Sequence, residues 1–541
     1  MSFDSLPLEI VQFIFDHLSF QDLLSASLVC RRWYSATEKS INGKSWLAVH
    51  LDRHNDLTEL AWNRRRHDSV LVTMLHSWEQ LKPAMDVCSE KIRLRRLSFS
   101  RSWIDYVCQF LQLYADWVDG LEEIHISLDH RFLRNDSCSG RSYVIRLPTA
   151  RRLYWSEIHI RRGNRNITVH GPRLKTVSIS DSFASKLNLI LPDCDALESL
   201  ECTLYRKSFT ELYKASYENL TTLILRIYYT VQDVKFLDFL PKLKWLTLLI
   251  EFEKDLLETL FPETTKAICR CTHLKGLQFI PMGDVASSGI DLTRLSESLP
   301  DLQQLELSNM YLISTKKAPT FQNLTILKLV NVNLQQTDDI QEINYPSLRT
   351  VSLDVMLLPR ISLLTSPKKV ELFINVDSLN LAEAVELCLT PFLKQFHPSI
   401  RDLTLFKPDC CDTIVDFSCL QTGLEQVARL RLVNLAISLK SLALIGNSSG
   451  LRHLTLSKCL IGVRGTTDQV ILLEQLDTFE LQQVQLDDPK QMQFPLARNA
   501  RENLMGRSKR GSVVFCTDWD DDESLSTGVT VPRMNKKVNP L

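Results

Sequence analysis

Residues 174–179 read LKTVSI, 197–202 read LESLEC, 220–225 read LTTLIL and 243–248 read LKWLTL. Each copy begins 23 residues after the one before it. Apolar side chains fill the first, fourth and sixth places, and variable residues fill the rest. Alternation over the last three places is that of a short strand with one face in a core. A constant step between copies sets such strands side by side. Each must then be followed by a return segment that brings the chain back to the start of the next.

The same frame recurs outward in both directions. It reads LRRLSF at Leu94, LEEIHI at Leu121, LKGLQF at Leu274, LQQLEL at Leu302, LTILKL at Leu324 and LRTVSL at Leu348. Later copies are IRDLTL at Ile400, VARLRL at Val427, LRHLTL at Leu451 and LDTFEL at Leu476, with weaker ones at Ala150 (ARRLYW) and Pro367 (PKKVEL). Sixteen frames between Leu94 and Leu476 give a mean step near 25 residues. That is the length and pattern of leucine-rich repeats. The fold expected is an α/β solenoid with parallel strands on a concave inner face, and helical or irregular returns outside. At about 4.7 Å per strand its inner edge would run roughly 75 Å. Returns are expected over 210–217, 233–239, 256–269, 292–299 and 381–396. A further frame, LKSLAL at Leu439, lies twelve residues from the copies on both sides, too close for a full repeat, and is read as an outer return. The Asn or Cys expected just past each strand is present at Cys459 but replaced by Tyr205, Met310, Val332 and Val484. These departures predict uneven curvature.

Ahead of the repeats, residues 6–34 are different: LPLEIVQFIFDHLSFQDLLSASLVCRRWY. Pro7 fits the first position of a helix and Glu9 its first turn. Leu8, Ile10, Ile14, Phe15 and Leu18 recur at three- and four-residue intervals. Ser19 to Asp22 reads as the start of a second helix through Leu23, Leu24 and Leu28, and Cys30, Trp33 and Tyr34 open a third. Three short helices have too little interior for so many apolar side chains. A partner surface and a bundle packed on its own chain both satisfy this pattern. Leu6, standing where a polar cap would serve, cannot cap.

Leu6, Pro7, Glu9, Ile10, Ile14, Leu18, Asp22, Leu23, Leu24, Val29, Cys30 and Trp33 together resemble the F-box signature, over roughly residues 3–45. The resemblance implies docking to the Skp-type adaptor of an SCF (Skp/cullin/F-box) ubiquitin ligase and, through it, to a cullin and a RING subunit. Leu6, Pro7, Ile10 and Ile14 are the first candidates for adaptor contact. Leu18 is a further one. Leu23, Leu24, Val29 and Trp33 divide between the adaptor and the box's own core. The whole chain then resembles an F-box/leucine-rich-repeat substrate receptor. The alternative is a repeat-based scaffold that holds the adaptor without directing ubiquitination. The expected division is an F-box at 1–45, a helical connector at 46–90, a solenoid of about 14–16 repeats at 91–497, and a cap strand with a flexible tail at 498–541.

Composition fits a soluble folded chain, with 44% hydrophobic and 23% charged residues and a formal charge of −1. No global field points to nucleic acid or membrane, and neither is expected as a partner. The start lacks the pattern of a signal peptide, and the best apolar run, 223–231, is broken by Arg226. Fourteen cysteines without a secretory signal favour reduced thiols, and so cytoplasm or nucleus. Cys269 with Cys271, and Cys410 with Cys411, lack zinc-site spacing. No phosphate loop, nucleophile elbow or HExxH is found, and the twelve histidines stand singly, His125 and His453 at variable strand positions. No catalytic residue, metal or cofactor is expected.

Target recognition is therefore expected at the variable strand positions: Arg226, Trp245, Gln303, Gln304, Glu306, Arg401, Phe406 and Arg452. Trp245 and Phe406 are interface anchors if they face outward and core if the register slips by one. Residues 141–175 carry nine Arg and Lys against Glu157 alone. Arg151 and Arg152 are central to this patch, which suits an acidic or phosphorylated segment but equally a solvated loop. It lacks the aromatic interleaving of a nucleic-acid surface.

Overall fold

A computed structural model of the chain describes residues 94–129, 142–158, 164–180, 186–205, 217–228, 235–251, 254–282, 289–313, 319–334, 341–363, 367–374, 384–396, 400–408, 427–462, 476–486 and 512–516, single positions among them excepted. Before residue 94 it describes 10, 11, 14, 15, 26, 33 and 36, the strands at 47–50 and 69–73, and a few positions from 82 to 89. Positions 414, 417, 424 and 425 complete the set. The chain falls into two compact units, Met1–Val370 and Glu371–Leu541.

In the first unit one strand follows another in parallel. Arg96–Ser102, Glu123–Asp129, Arg152–Ile158, Thr176–Ser180, Ser199–Tyr205, Thr222–Tyr228, Trp245–Glu251 and Gly276–Met282 each pair with the next. Gln304–Ile313, Ile326–Leu334 and Thr350–Asp354 continue the ladder. The second unit repeats the arrangement with Asp402–Phe406, Arg429–Val433, His453–Ser457, Thr478–Gln482 and Ser512–Cys516. The last is the strand expected at the end of the array.

The register follows from the leucines. Leu223, Leu246, Leu277, Leu305 and Leu327 share one buried row, and Leu225, Leu248, Phe279, Leu307 and Leu329 the next. A one-residue slip would turn every one of them to solvent. Burial of a leucine contributes about 2 kcal/mol, so whole rows fix the register. Trp155 occupies this row in the copy beginning at Ala150 and is buried, so that weak frame is a true rung.

Many rungs begin with a turn that the hexamer alone does not reveal. The amide of the first leucine donates to the carbonyl three residues back: Leu174 to Gly171, Leu197 to Cys194, Leu220 to Tyr217, Leu274 to Cys271 and Leu348 to Tyr345. Those residues are buried too. The repeat is therefore one turn longer than the leucine pattern.

Several returns are helical, as the pattern implies. Lys254–Arg270 and Leu292–Ser298 are α-helices, Lys235–Phe239 is a 3-10 turn, and Val385–Leu389 leads into the helix Thr390–Phe396. The crowded frame at Leu439 is the helix Leu439–Gly446, an outer return. Asp291 caps its helix, accepting from the Thr293 amide at 2.8 Å and the Arg294 amide at 3.2 Å.

Two expectations are corrected. The stretch 46–90, read as a helical connector, contains Leu47–His50 and Ser69–Thr73, which pair in parallel with each other and extend the sheet from Arg96–Ser102. Val70 and Val72 are buried at strand spacing, and five residues are too few to separate that alternation from a helical one. Between 142 and 190 the returns are strands rather than helices or irregular turns. Ser142–Arg146, Asn164–His170 and Lys186–Ile190 form a second parallel sheet, with Tyr143, Ile145, Ile167 and Val169 buried on one side.

Candidate functional site

At the N-terminus, Val11, Phe15, Ala26 and Ala36 form one buried cluster, with Ile14 and Trp33 partly buried against it. Phe15 and Trp33 meet edge to face with ring centroids 5.4 Å apart, a geometry that suits their quadrupoles. Ile10 lies outside this cluster and is 47% exposed. The residues predicted for one site thus separate. Ile10 faces solvent, while Ile14 and Trp33 are shared with the core of the small domain. Leu6, Pro7, Leu18, Leu23, Leu24 and Val29 lie outside the described residues.

On the first unit's sheet, Trp245 projects from the outward face at 37% exposure. Its register neighbours are Thr222 on one side and Gly276 on the other. The indole lies over Gly276, where a Cβ would collide with its six-membered ring. Glycine here is a matter of space, and it lets an aromatic ring lie flat on the sheet. Ile224, Leu249, Ile280 and Ile326 occupy outward positions nearby, each half-buried. Polar groups on this face are mostly matched. Glu201 accepts from the Ser178 hydroxyl at 2.7 Å and lies 3.6 Å from the Arg226 guanidinium. Glu306 pairs with Lys328 at 2.8 Å. Arg226 is thus partly engaged, although its Nε is buried without a partner. Gln303 stands half-buried at the turn before its strand, and its carbonyl accepts from the Thr325 hydroxyl at 3.0 Å. Gln304, beside Gly276, is exposed.

The arginine patch changes character once rungs are placed side by side. Arg152 pairs with Glu123 at 2.7 Å, and Lys175 with Glu198 at 2.6 Å. Arg151 is exposed one rung from Glu122. A charge count along the chain misses these acids because they stand one rung away. Within the expected basic patch, Arg152 and Lys175 are therefore matched by acids of neighbouring rungs. These exposed pairs contribute little to stability.

The second unit holds Arg401, Phe406 and Arg452. Both arginines are exposed at turns before strands. Phe406 is outward and half-buried, packed edge to face on Phe373 with centroids 5.4 Å apart. The candidates for target binding therefore divide between the two units.

Nucleophilic chemistry is disfavoured at the described cysteines with shifted thiols. Burial pushes the Cys202 and Cys271 thiols up to about 12 and the Cys194 thiol up to about 11. Such thiols stay protonated at neutral pH. Among the described residues, Cys108, Cys194, Cys202, Cys269, Cys271, Cys388 and Cys459 form no disulfide, and no three His, Cys, Asp or Glu side chains group as a metal site. None of their helices is long and apolar enough to cross a membrane.

One feature escaped the leucine pattern altogether. Asn309, Asn331, Asn434 and Lys458 have φ of 53–57°, in the left-handed region; the first two interrupt the long strands Gln304–Ile313 and Ile326–Leu334, and the last two directly follow Arg429–Val433 and His453–Ser457. Asn309 donates to the Pro281 carbonyl at 3.3 Å and Asn434 to that of Lys407 at 2.9 Å. Asparagine tolerates this backbone region better than other side chains. The signal was the residue before Met310, Val332 and Cys459 rather than those residues themselves.

Residues 3–41 match the F-box-like family. Among curated proteins, no match to the chain is found. Solved structures similar to it include an internalin from Listeria monocytogenes, at 14% identity over 64% of this chain and 82% of that one, with a TM-score of 0.23. Another is the leucine-rich-repeat ectodomain of the receptor kinase GASSHO1/SCHENGEN3 from Arabidopsis thaliana, at 13% identity over 78% of this chain and 61% of that one, with a TM-score of 0.22. The chain therefore carries an F-box-like segment at its N-terminus, followed by parallel-stranded rungs of leucine-rich-repeat type.

Proposed function

We propose that this chain is the substrate-recognition subunit of an SCF-type ubiquitin-protein ligase, acting in the cytoplasm or nucleus. The F-box-like match over residues 3–41 carries the reading, because F-boxes bind Skp-type adaptors. The outward strand face supports it. An indole held flat on a sheet costs little entropy to immobilise, as an anchor for a protein target should. In this reading the adaptor brings the cullin and RING subunit, and the strands hold the target. The chain makes and breaks no bond. Its contribution is to raise the effective concentration of a target lysine at the ubiquitin-conjugating enzyme and to orient it.

The test is adaptor co-purification with the full chain and with a Leu6→Ala, Pro7→Ala double variant. Adaptor and cullin should be recovered with the first and lost with the second, while both chains unfold at the same temperature. Equal recovery from the two would sink the proposal.

A further inference from the structure

The outward face around Trp245 has a charge arrangement that the leucine pattern does not anticipate. Lys244 and Lys275 stand at the N-terminal edge of adjacent strands, the Lys275 amide bonded to the Lys244 carbonyl at 2.7 Å. Lys244 is exposed and Lys275 half-buried. Neither ammonium has an anionic partner among the described residues. The nearby acids are already engaged: Glu198 by Lys175, Glu201 by Arg226 and Ser178, and Glu306 by Lys328. Glu251, the remaining acid of the Trp245 strand, is at its opposite end, six residues or about 20 Å away. Between the two ends lie Trp245, Leu249 and Ile280, with Ile224 alongside. The face therefore has two unmatched cations at one edge and, beside them, the apolar groups Trp245, Leu249, Ile280 and Ile224 interleaved with Thr247 and Gln278.

We propose that this face binds an extended acidic peptide segment of a target protein. Its bulky apolar side chain would lie against Trp245, and its carboxylates would stand over Lys244 and Lys275. The inference rests on the receptor reading and deepens it by giving the class of segment recognised. Two unpaired ammonium groups favour carboxylates through direct attraction and through encounter rate, both weakened by salt. The flat indole supplies the desolvated contact that such charge pairs need if they are to add affinity.

The test pans a displayed library of random twelve-residue peptides on the full-length chain, then measures synthetic copies of the enriched peptides by fluorescence anisotropy. Enriched peptides should carry Asp or Glu within about two residues of Leu, Phe or Trp. Their affinity should fall at least tenfold in Trp245→Ala and in the Lys244→Glu, Lys275→Glu double variant, and fall with rising salt. Lys440→Ala, on the outer-return helix Leu439–Gly446 of the other unit, should leave it unchanged. Enrichment of basic peptides, of peptides indifferent to both variants, or of none would overturn the proposal. Should Trp245→Ala fail to fold, the lysine double variant decides alone, because Lys244 is solvent-exposed and Lys275 half-buried. Peptide binding without adaptor binding would sink the receptor reading and leave this one standing. Adaptor binding without such peptides would do the reverse.

Discussion

Asn331 donates its side-chain amide to the side-chain oxygen of Asn309, 2.9 Å away on the preceding rung. Both residues are in the left-handed region, so one residue type meets two demands: it tolerates the backbone and links the rungs. In the second unit the corresponding step runs from Asn434 to Lys458, and there the lysine has no amide to offer. Lys458→Asn should place a donor within reach of Asn434 and raise stability by about 1 kcal/mol. Lys458→Gly should recover only the backbone part, a few tenths of a kcal/mol. Denaturant melts of the three chains would rank them Asn, Gly, Lys. A loss in the Asn variant would mean that the lysine stem makes a compensating contact.

The Trp245 indole holds its place because Gly276 has no Cβ. Gly276→Ala should push the ring off the sheet at a cost of about 1 kcal/mol, since the clash is with a side chain able to rotate. In a chain labelled with 5-fluorotryptophan, one fluorine resonance should move, the same one that Trp245→Phe deletes. An unmoved resonance would place the indole elsewhere.

Asp354 is buried, and its carboxyl is held above the usual range by desolvation, partly offset by the Met356 amide it accepts at 3.0 Å. The raised folded value means that the folded chain holds this proton more tightly than the unfolded chain. The associated stability is full below the unfolded value of about 4 and is lost as pH rises through the folded value. Asp354→Asn keeps the acceptor and removes the titration. Its melting temperature should match or exceed that of the wild type at pH 7, and the gap should close toward pH 4. A variant less stable at every pH would show that the charged carboxylate is favoured where it stands.

With thiols at about 11 for Cys194 and about 12 for Cys202 and Cys271, little thiolate exists at pH 8. All three are buried as well. Alkylation by iodoacetamide, followed residue by residue in a mass spectrometer, should be at least a hundredfold slower in the native chain than in denaturant. Fast labelling of Cys202 would mean that its rung opens locally.

The leucine rows were legible in the sequence because a strand period of two, repeated at a nearly fixed step, fits little besides strands stacked side by side. Even the weak frames at Ala150 and Pro367 belong to strands, Arg152–Ile158 and Lys369–Phe373. The strand returns at 142–190 and the first two strands were not legible. Each is a short alternation without a leucine frame, and only pairing with a distant neighbour distinguishes it from a turn of helix. The same limit governs the site. Trp245 could be named from its place in the frame. That Gly276 lies under it, that Glu123 pairs with Arg152 and Glu198 with Lys175, and that Lys244 and Lys275 remain unmatched among the described residues are relations between rungs. They depend on register, which a window along the chain does not contain.

The N-terminal domain allows a sharper division than the signature alone. Ile10 is largely exposed, whereas Phe15 is buried against Trp33. Phe15→Ala should remove a core ring and destabilise the small domain by about 3–5 kcal/mol, losing adaptor binding through unfolding. Ile10→Glu removes nothing from that core. It should leave the helical signal and melting of the domain near wild type, yet weaken adaptor binding at least tenfold, because a charge would enter an apolar contact without a partner. Measured together by circular dichroism and adaptor titration, the two variants separate folding from docking. If Ile10→Glu binds as the wild type does, Ile10 is no part of the docking face, and under the receptor reading Leu6 and Pro7 become the next positions to vary.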